Sequence, residues 1–315
     1  MTTTHTKCLI IGSGPAGYTA GIYASRAGLK PIIISGPLEG GQLTTTNEIE
    51  NYPGFPNAIS GYDLTDLMKN QAEKFGTQII SGTVIKTDFS EKPFIIETDD
   101  KNIYKADSVI LATGASAKYL GLESEKKYLG SGVSACAVCD GFFYKKQDVI
   151  VVGGGDTAVS DALYLSNICN KVYLAVRKNY LRASDILQKR LSEAKNIEVL
   201  YEHVVTDIYG ENGVEGVTLK YKLGTTDEIS KNLKVTGYFV AIGRQPQTEI
   251  FASQIKTDKL GYIVTEKNST KTNIAGVFAC GDCADSIYRQ AIVAAGSGCK
   301  AALDAEKYLN ENAIL

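Results

Sequence analysis

The sequence predicts an α/β protein of two Rossmann-like dinucleotide-binding domains, the second inserted into the first. Three observations carry this reading. A glycine-rich string follows an apolar run and precedes helix-forming residues at two places, beginning at Gly12 and Gly153. Each string is followed by another apolar run, completing a strand–helix–strand unit. Two further runs, residues 107–114 and 238–243, end in glycine and mark where the chain leaves one domain and later returns.

The elements follow in order. Residues 7–11 are a short apolar run ending at glycine, the pattern of a buried strand. Gly12-Ser-Gly14-Pro-Ala-Gly17 comes next, then helix formers over residues 18–29 with Gly28 as a stop, then a second strand over residues 31–35. The pattern returns as a strand at 148–152, Gly153-Gly-Gly155-Asp-Thr-Ala158, a helix at 158–166 and a strand at 171–176. Residues 199–205 read as one strand and 276–280 as another, and the Ala-rich stretch 289–309 reads as a long helix. The expected domains are 1–116 with 246–315, and 117–245 inserted between them.

Composition narrows the functions. A chain of 315 residues suggests two domains. Its 33 Lys and Arg balance 35 Asp and Glu, so no basic surplus points to a nucleic acid. The 44% of hydrophobic residues supplies a core, but no apolar run approaches the ~18 residues of a membrane span. With no apolar leader near Met1, a cytoplasmic location is expected. Only His5 and His203 are present, which argues against Ser–His chemistry or a His-ligated metal.

Each glycine string has a physical task. The first glycine makes the tight turn and the second lets backbone approach a pyrophosphate. The third lets helix pack on strand, and the helix N-terminus offers unpaired N–H groups to the anion. An NAD site usually places an acid at the end of the second strand. The second unit instead ends Val176-Arg177-Lys178, with Arg182 close behind. Three cations there point to a 2′-phosphate, hence NADPH, although a solvated basic turn has the same composition. The first unit ends Ser35-Gly36, which leaves its ligand open.

Seven cysteines in a protein without need of a disulfide framework call for another explanation. Cys136-Ala-Val-Cys139 can close a small redox disulfide, and Asp140 is the neighbouring proton donor or acceptor. Cys280-Gly-Asp-Cys283 repeats the spacing, which raises a four-cysteine zinc site as a rival. Because Cys280 ends an apolar run, a buried inert thiol is preferred there. Cys8, Cys169 and Cys299 read as small core residues.

In this order the strings resemble the low-molecular-weight thioredoxin reductases over nearly the whole chain. The matching pieces are Gly12-Ser-Gly-Pro-Ala-Gly17, Gly40-Gly-Gln-Leu43 with Glu50-Asn-Tyr-Pro-Gly54, and Ala112-Thr-Gly114. Cys136-Ala-Val-Cys-Asp-Gly141, Gly153-Gly-Gly-Asp-Thr-Ala158, Ala241-Ile-Gly243, Gly281-Asp282 and Arg289-Gln-Ala291 complete the series.

The resemblance implies FAD on the first loop, at Gly12, Ser13, Gly14, Pro15, Ala16 and Gly17. Gln42, Leu43, Asn51, Val84, Thr113, Gly114, Cys139, Gly281, Asp282, Arg289, Gln290 and Ala291 would complete that site. It implies NADPH at Gly153, Gly155, Asp156, Thr157, Ala158, Arg177, Lys178, Arg182, Ile242, Gly243 and Arg289. Hydride would pass from NADPH to FAD and on to the Cys136–Cys139 disulfide. Cys139 would face the flavin, Cys136 would attack oxidised thioredoxin, and Asp140 would protonate the outgoing thiolate. A homodimer is implied, with rotation of the inserted domain about residues 114–118 and 241–246. No metal is called for. Three departures stand out. Lys178 replaces a customary Arg, Cys280 and Cys283 flank the Gly281-Asp282 pair, and Ser160-Asp161 stands where an acidic pair is common.

Overall fold

The computed structural model describes residues 2–46 and 48–312. The chain forms two compact units, Met1–Ser116 with Gln245–Leu315, and Ala117–Arg244.

The first unit contains β1 (Thr3–Ile11), α1 (Pro15–Arg26), β2 (Ile32–Ile34), α2 (Gly61–Lys74) and β3 (Gln78–Ile80). These are followed by β4 (Val84–Asp88), β5 (Phe94–Thr98), β6 (Ile103–Leu111) and β7 (Ala115–Ala117), which runs to the crossing point. Its sheet has the order β3-β2-β1-β6-β5-β4. A strand from the returning chain, here Val277–Ala279, also pairs with β6. The long strand β6 runs parallel to β1 along one edge and divides its other edge between two partners. Ile103 to Ala106 run antiparallel to β5, and Val109 to Leu111 run parallel to Val277–Ala279.

Sheet alternation divides the core of this unit. Cys8, Ile10, Ile33 and Ile110 face one apolar cluster, with Ala16, Ala20 and Ala24 of α1. Leu9, Ile11, Ile32, Ile34, Val109 and Leu111 face the other, with Phe89, Phe94 and Phe251. Burial on both faces explains why β2 is an uninterrupted run of isoleucine. The first helix begins at Pro15, three residues before the expected start, because the fixed φ of proline suits a first helical position.

The second unit holds α3 (Glu123–Lys127), β8 (Val133–Ser134), α4 (Ala137–Asp140), β9 (Asp148–Val152) and α5 (Asp156–Ser166). The second unit continues with β10 (Lys171–Val176), α6 (Asp185–Glu193), β11 (Ile197–Tyr201), β12 (His203–Tyr209), β13 (Gly216–Tyr221), β14 (Ile229–Lys234) and β15 (Gly237–Val240), and it ends in β16 (Arg244–Pro246), of which only Arg244 belongs to it. Its parallel sheet has the order β11-β10-β9-β15-β8, and β12-β13-β14 form a separate antiparallel sheet. The strand expected over residues 199–205 is therefore two strands. Glu202 takes φ 58°, which turns the chain between the two sheets. Its N–H donates to Lys178 O at 3.2 Å and its carbonyl accepts from Lys222 N at 2.9 Å.

After its return at Gln245 the chain adds β17 (Val277–Ala279) and α7 (Ala291–Asn312) to the first unit. The sequence pattern predicts the last helix from 289. Arg289 instead has φ 46°, and Gln290 O accepts the first helical N–H, that of Ala294, at 2.8 Å. Helices α1 and α7 meet backbone to backbone at Gly298, where a Cβ would lie 2.1 Å from Ala16 O. Among the described residues no helix is long and apolar enough to cross a membrane.

Candidate active site

The two glycine loops are built alike. At Gly12, φ is 109° and an added Cβ would lie 2.3 Å from Ala112 O. At Gly153, φ is 149° and a Cβ would lie 2.4 Å from Ala241 O. Only glycine fits either turn. The strands behind them run alike too, with Ala112 N donating to Ile11 O and Ala241 N to Val152 O, both at 2.8 Å. Ala112-Thr-Gly114 and Ala241-Ile-Gly243 are thus the walls against which the loops turn, a function beyond the expected junctions. By contrast, a Cβ at Gly14 or at Gly155 would meet nothing within 4 Å. Each loop is closed behind and open in front, at the residue preceding its helix, where no side chain caps the helix. Such a cradle fits a pyrophosphate.

Around the first loop the fold gathers residues from distant parts of the chain. Ser13 Oγ donates to Ser35 O at 2.9 Å and accepts from Gly40 N at 3.0 Å. This fixes the short turn Gly41–Thr45, which carries Gln42 and Leu43. Gly281 has φ 71°, donates its N–H to Ser297 Oγ at 2.8 Å, and faces Ala16 so closely that a Cβ would come within 2.9 Å. That contact sets the Gly281-Asp282 turn against the start of α1. Asn51 Nδ2 donates to Gln290 Oε1 at 3.4 Å, just ahead of Ala291. Thr113 Oγ1 donates to Gln247 O at 2.6 Å, and Gly114 O accepts from Gln247 N at 3.0 Å. Val84 opens β4 at the sheet edge, two residues after Gly82, which bridges to Gly36.

The second loop is joined to its basic turn by one backbone bond and one bond to a side-chain carboxylate. Arg182 N donates to Gly154 O, and Ser184 N to Asp156 Oδ1, each at 2.7 Å. Thr157 and Ala158 lie in the first turn of α5, with Ala158 fully buried. Lys178 Nζ donates to Tyr180 OH at 2.7 Å, and the Tyr180 hydroxyl is held below its usual pKa by that ammonium. Tyr180 is a contact that the sequence did not reveal. Arg177 lines a surface pocket of about 440 Å³ with Glu202 and Lys222. Gly243 has φ 119°, and its carbonyl accepts from Lys118 N at 3.0 Å.

Cys136 and Cys139 form a disulfide with Cα atoms 5.3 Å apart. Cys136 is the N-cap of α4, and its Sγ accepts the Cys139 N–H at 3.2 Å. Val138 and Phe142 beside the pair are exposed at 48% and 55%, leaving an apolar surface around the disulfide. Burial raises the pKa of Asp140, opposed by its hydrogen bond with Ser134. Ser134 Oγ donates to Asp140 Oδ2 at 2.5 Å and accepts from Cys136 N at 3.0 Å.

The other cysteines differ in kind. Burial pushes the Cys8 thiol up to about 12 and the Cys169 thiol up to about 11. Cys280 and Cys283 are also raised by burial, and both are free thiols. Cys283 Sγ donates to Cys280 O at 3.2 Å and to Leu111 O at 3.4 Å. Among the described residues no group of three or more His, Cys, Asp or Glu is placed to hold a metal ion.

Residues 6–298 match the family model described as pyridine nucleotide-disulphide oxidoreductase. A thioredoxin reductase of Rickettsia conorii is 52% identical over 307 residues, covering 97% of this chain and 99% of that protein. A thioredoxin reductase of Vibrio cholerae is 52% identical, with 97% of each chain covered. The chain belongs to the thioredoxin reductase family. Among solved structures, a thioredoxin reductase from Giardia duodenalis superposes with a TM-score of 0.92 at 42% identity, covering 98% of this chain and 99% of that one. One from Streptococcus pyogenes gives 0.91 at 38% identity, with 98% and 99% covered. Within this thioredoxin reductase fold the disulfide lies in the inserted unit, between β8 and β9.

Proposed function

We propose that the protein is an NADPH-dependent thioredoxin-disulfide reductase that uses FAD. The observation that carries the reading is the Cys136–Cys139 disulfide, set at a helix N-cap in a chain with two dinucleotide cradles. Full-length similarity to thioredoxin reductases supports the same conclusion.

The residues fit both cofactors. FAD would be held by residues 12–17, with Gln42, Leu43, Asn51, Val84, Thr113, Gly114, Gly281, Asp282, Arg289, Gln290 and Ala291, and Cys139 would be the cysteine that receives its electrons. NADPH would be held by Gly153, Gly155, Asp156, Thr157 and Ala158, with Ile242, Gly243 and Arg289. Arg177, Lys178 and Arg182 would meet the 2′-phosphate. The chemistry these cofactors supply is hydride transfer, the source of the two electrons that open the disulfide.

The chain's own residues account for the exchange that follows. The N–H that Cys139 donates to Cys136 Sγ favours negative charge on that sulfur and suits it to attack a partner disulfide. Asp140, whose carboxyl pKa is raised by burial, is the group that would give a proton to the leaving sulfur. Val138 and Phe142 give a small disulfide protein an apolar surface beside the attacking atom. A cytoplasmic location and a homodimer belong to the same proposal, and light scattering tests the latter.

The proposal requires the purified protein to carry a visible flavin absorbance and to oxidise NADPH only when oxidised thioredoxin is supplied. Flavin-free protein without reductase activity would contradict it.

A further inference from the structure

The disulfide, its acid and the strand beside them share one hydroxyl that the reaction as described does not use. Ser134 ends β8 and is only 5% exposed. Its Oγ accepts the Cys136 backbone N–H at 3.0 Å and donates to Asp140 Oδ2 at 2.5 Å. The Asp140 backbone N–H returns to Cys136 O at 3.1 Å, closing a ring through the active-site turn. None of these bonds involves a sulfur atom, so the ring can persist when the disulfide opens.

We infer that Ser134 is a positioning residue that holds the Asp140 carboxyl against the Cys136 backbone in both the disulfide and the dithiol forms. The inference rests on the reductase reading and deepens it. During exchange, the Cys136 thiolate attacks one sulfur of the partner disulfide. A bond forms between them, the partner's S–S bond breaks, and the departing sulfur takes its electron pair and then the Asp140 proton. The new carboxylate keeps the Ser134 O–H as a donor. Cys139 then yields its proton to that carboxylate and attacks Cys136 Sγ. The internal disulfide reforms, and the second partner sulfur leaves and is protonated by water. Two electrons pass from the dithiol to the partner. A hydroxyl that bonds the carboxylate more strongly than the acid sets the pH at which Asp140 can give its proton.

The groups around the carboxyl come from several elements. Tyr119 precedes α3, and Tyr144 lies between α4 and β9. Burial raises both phenols, with the Asp140 charge contributing to each. Arg244 lowers Tyr119 and donates Nη2 to Ala135 O at 2.9 Å. None of these is the tether. Among the described hydrogen bonds, Ser134 supplies the side-chain one to Asp140.

The test uses full-length holoenzyme reduced to the dithiol. It follows single-turnover reduction of oxidised thioredoxin against pH, together with the pH dependence of Cys136 alkylation by iodoacetamide. Ser134→Ala should slow exchange about ten-fold near neutral pH, the order expected for one lost hydrogen bond to a carboxylate. Without the donor the carboxylate is less favoured, so the fall in rate at rising pH should move to higher pH, and the matching alkylation inflection should move with it. Ser134→Thr, which keeps the hydroxyl, should restore both, whereas the near-isosteric Ser134→Val should not. This Thr and Val pair carries the test if the Ala variant fails to fold. Unchanged midpoints in the hydroxyl-free variants, with only the amplitude lowered, would overturn the inference. Asp140→Asn is the control on the underlying reading. If it abolishes the alkaline limb while Ser134→Ala leaves that limb in place, the reductase reading stands and the tether fails. If Asp140→Asn exchanges at the unaltered rate, the assignment of the acid fails.

Discussion

Cys139 N–H donates to Cys136 Sγ at 3.2 Å across the active-site disulfide. The bond distinguishes two cysteines that the sequence presents as equivalent. In the dithiol form the proposal has this bond favour negative charge on Cys136, and Cys139 sits one turn further, within the helix. The two thiols are therefore expected to divide the work. Cys139→Ser should leave Cys136 able to attack but unable to resolve, so a mixed disulfide with thioredoxin should accumulate. Cys136→Ser should form no such adduct under the same conditions. Mass spectrometry of non-reduced samples reads the difference, and an adduct through Cys139 alone would reverse the assignment.

Gly14 and Gly155 separate folding from binding. Gly14 has φ −70° and ψ −176°, and Gly155 has φ −100° and ψ −176°, backbone that alanine adopts freely. Neither has an atom within 4 Å of an added Cβ. Alanine at either position should change stability by no more than about 1 kcal/mol. A bound pyrophosphate would nevertheless meet the new methyl. Gly14→Ala should therefore be purified with much of its flavin missing. Gly155→Ala should retain flavin but bind NADPH about ten-fold more weakly, a loss of about 1.4 kcal/mol. Unchanged flavin content in the first variant would exclude residues 12–17 as the FAD cradle.

Lys178 carries a prediction about cofactor preference. Its ammonium is directed by Tyr180, and arginine at this position would offer a flat fork to a phosphate. Lys178→Arg should sharpen the preference for NADPH over NADH, and Lys178→Ala should weaken NADPH binding about ten-fold while leaving NADH nearly unchanged. Competition by 2′,5′-ADP measures the effect without turnover. Equal losses for both nucleotides would place the 2′-phosphate elsewhere.

Much of this organisation was legible because glycine strings and paired cysteines impose demands that few other residues meet. Gly12 and Gly153 could be assigned from sequence because no side chain fits beside Ala112 O or Ala241 O. Other features leave no local pattern. Ser134 lies between Val133 and Ala135 and gains its task only when Asp140 folds back onto it. The break at Glu202 has neither glycine nor proline to announce it. There the left-handed backbone is held by Lys178 O and Lys222 N, partners that tertiary structure supplies. The Asn51–Gln290 contact likewise joins segments that only the returning chain brings together.

Asp304 ties α7 to the loop before β17. Its Oδ2 accepts from Thr270 N at 2.9 Å, Thr270 Oγ1 at 2.7 Å and Ser269 Oγ at 2.9 Å. Burial raises the carboxyl's pKa, but these bonds outweigh it and the net direction is down. A depressed folded-state value gives stability that is present above the unfolded carboxylate value and is lost as pH falls through the folded one. Asp304→Ala should cost about 1 kcal/mol at neutral pH, after allowance for partial solvent exposure. The penalty should shrink in strongly acidic buffer. Urea unfolding at the two pH values checks the sign, and a penalty that grew on acidification would contradict it.

The most direct test of the central claim is NADPH-dependent reduction of oxidised thioredoxin by Cys136→Ser holoenzyme with its flavin bound. The relay through the Cys136–Cys139 pair predicts that flavin reduction by NADPH survives while thioredoxin reduction falls to background. Continued turnover of thioredoxin by this variant would contradict the account.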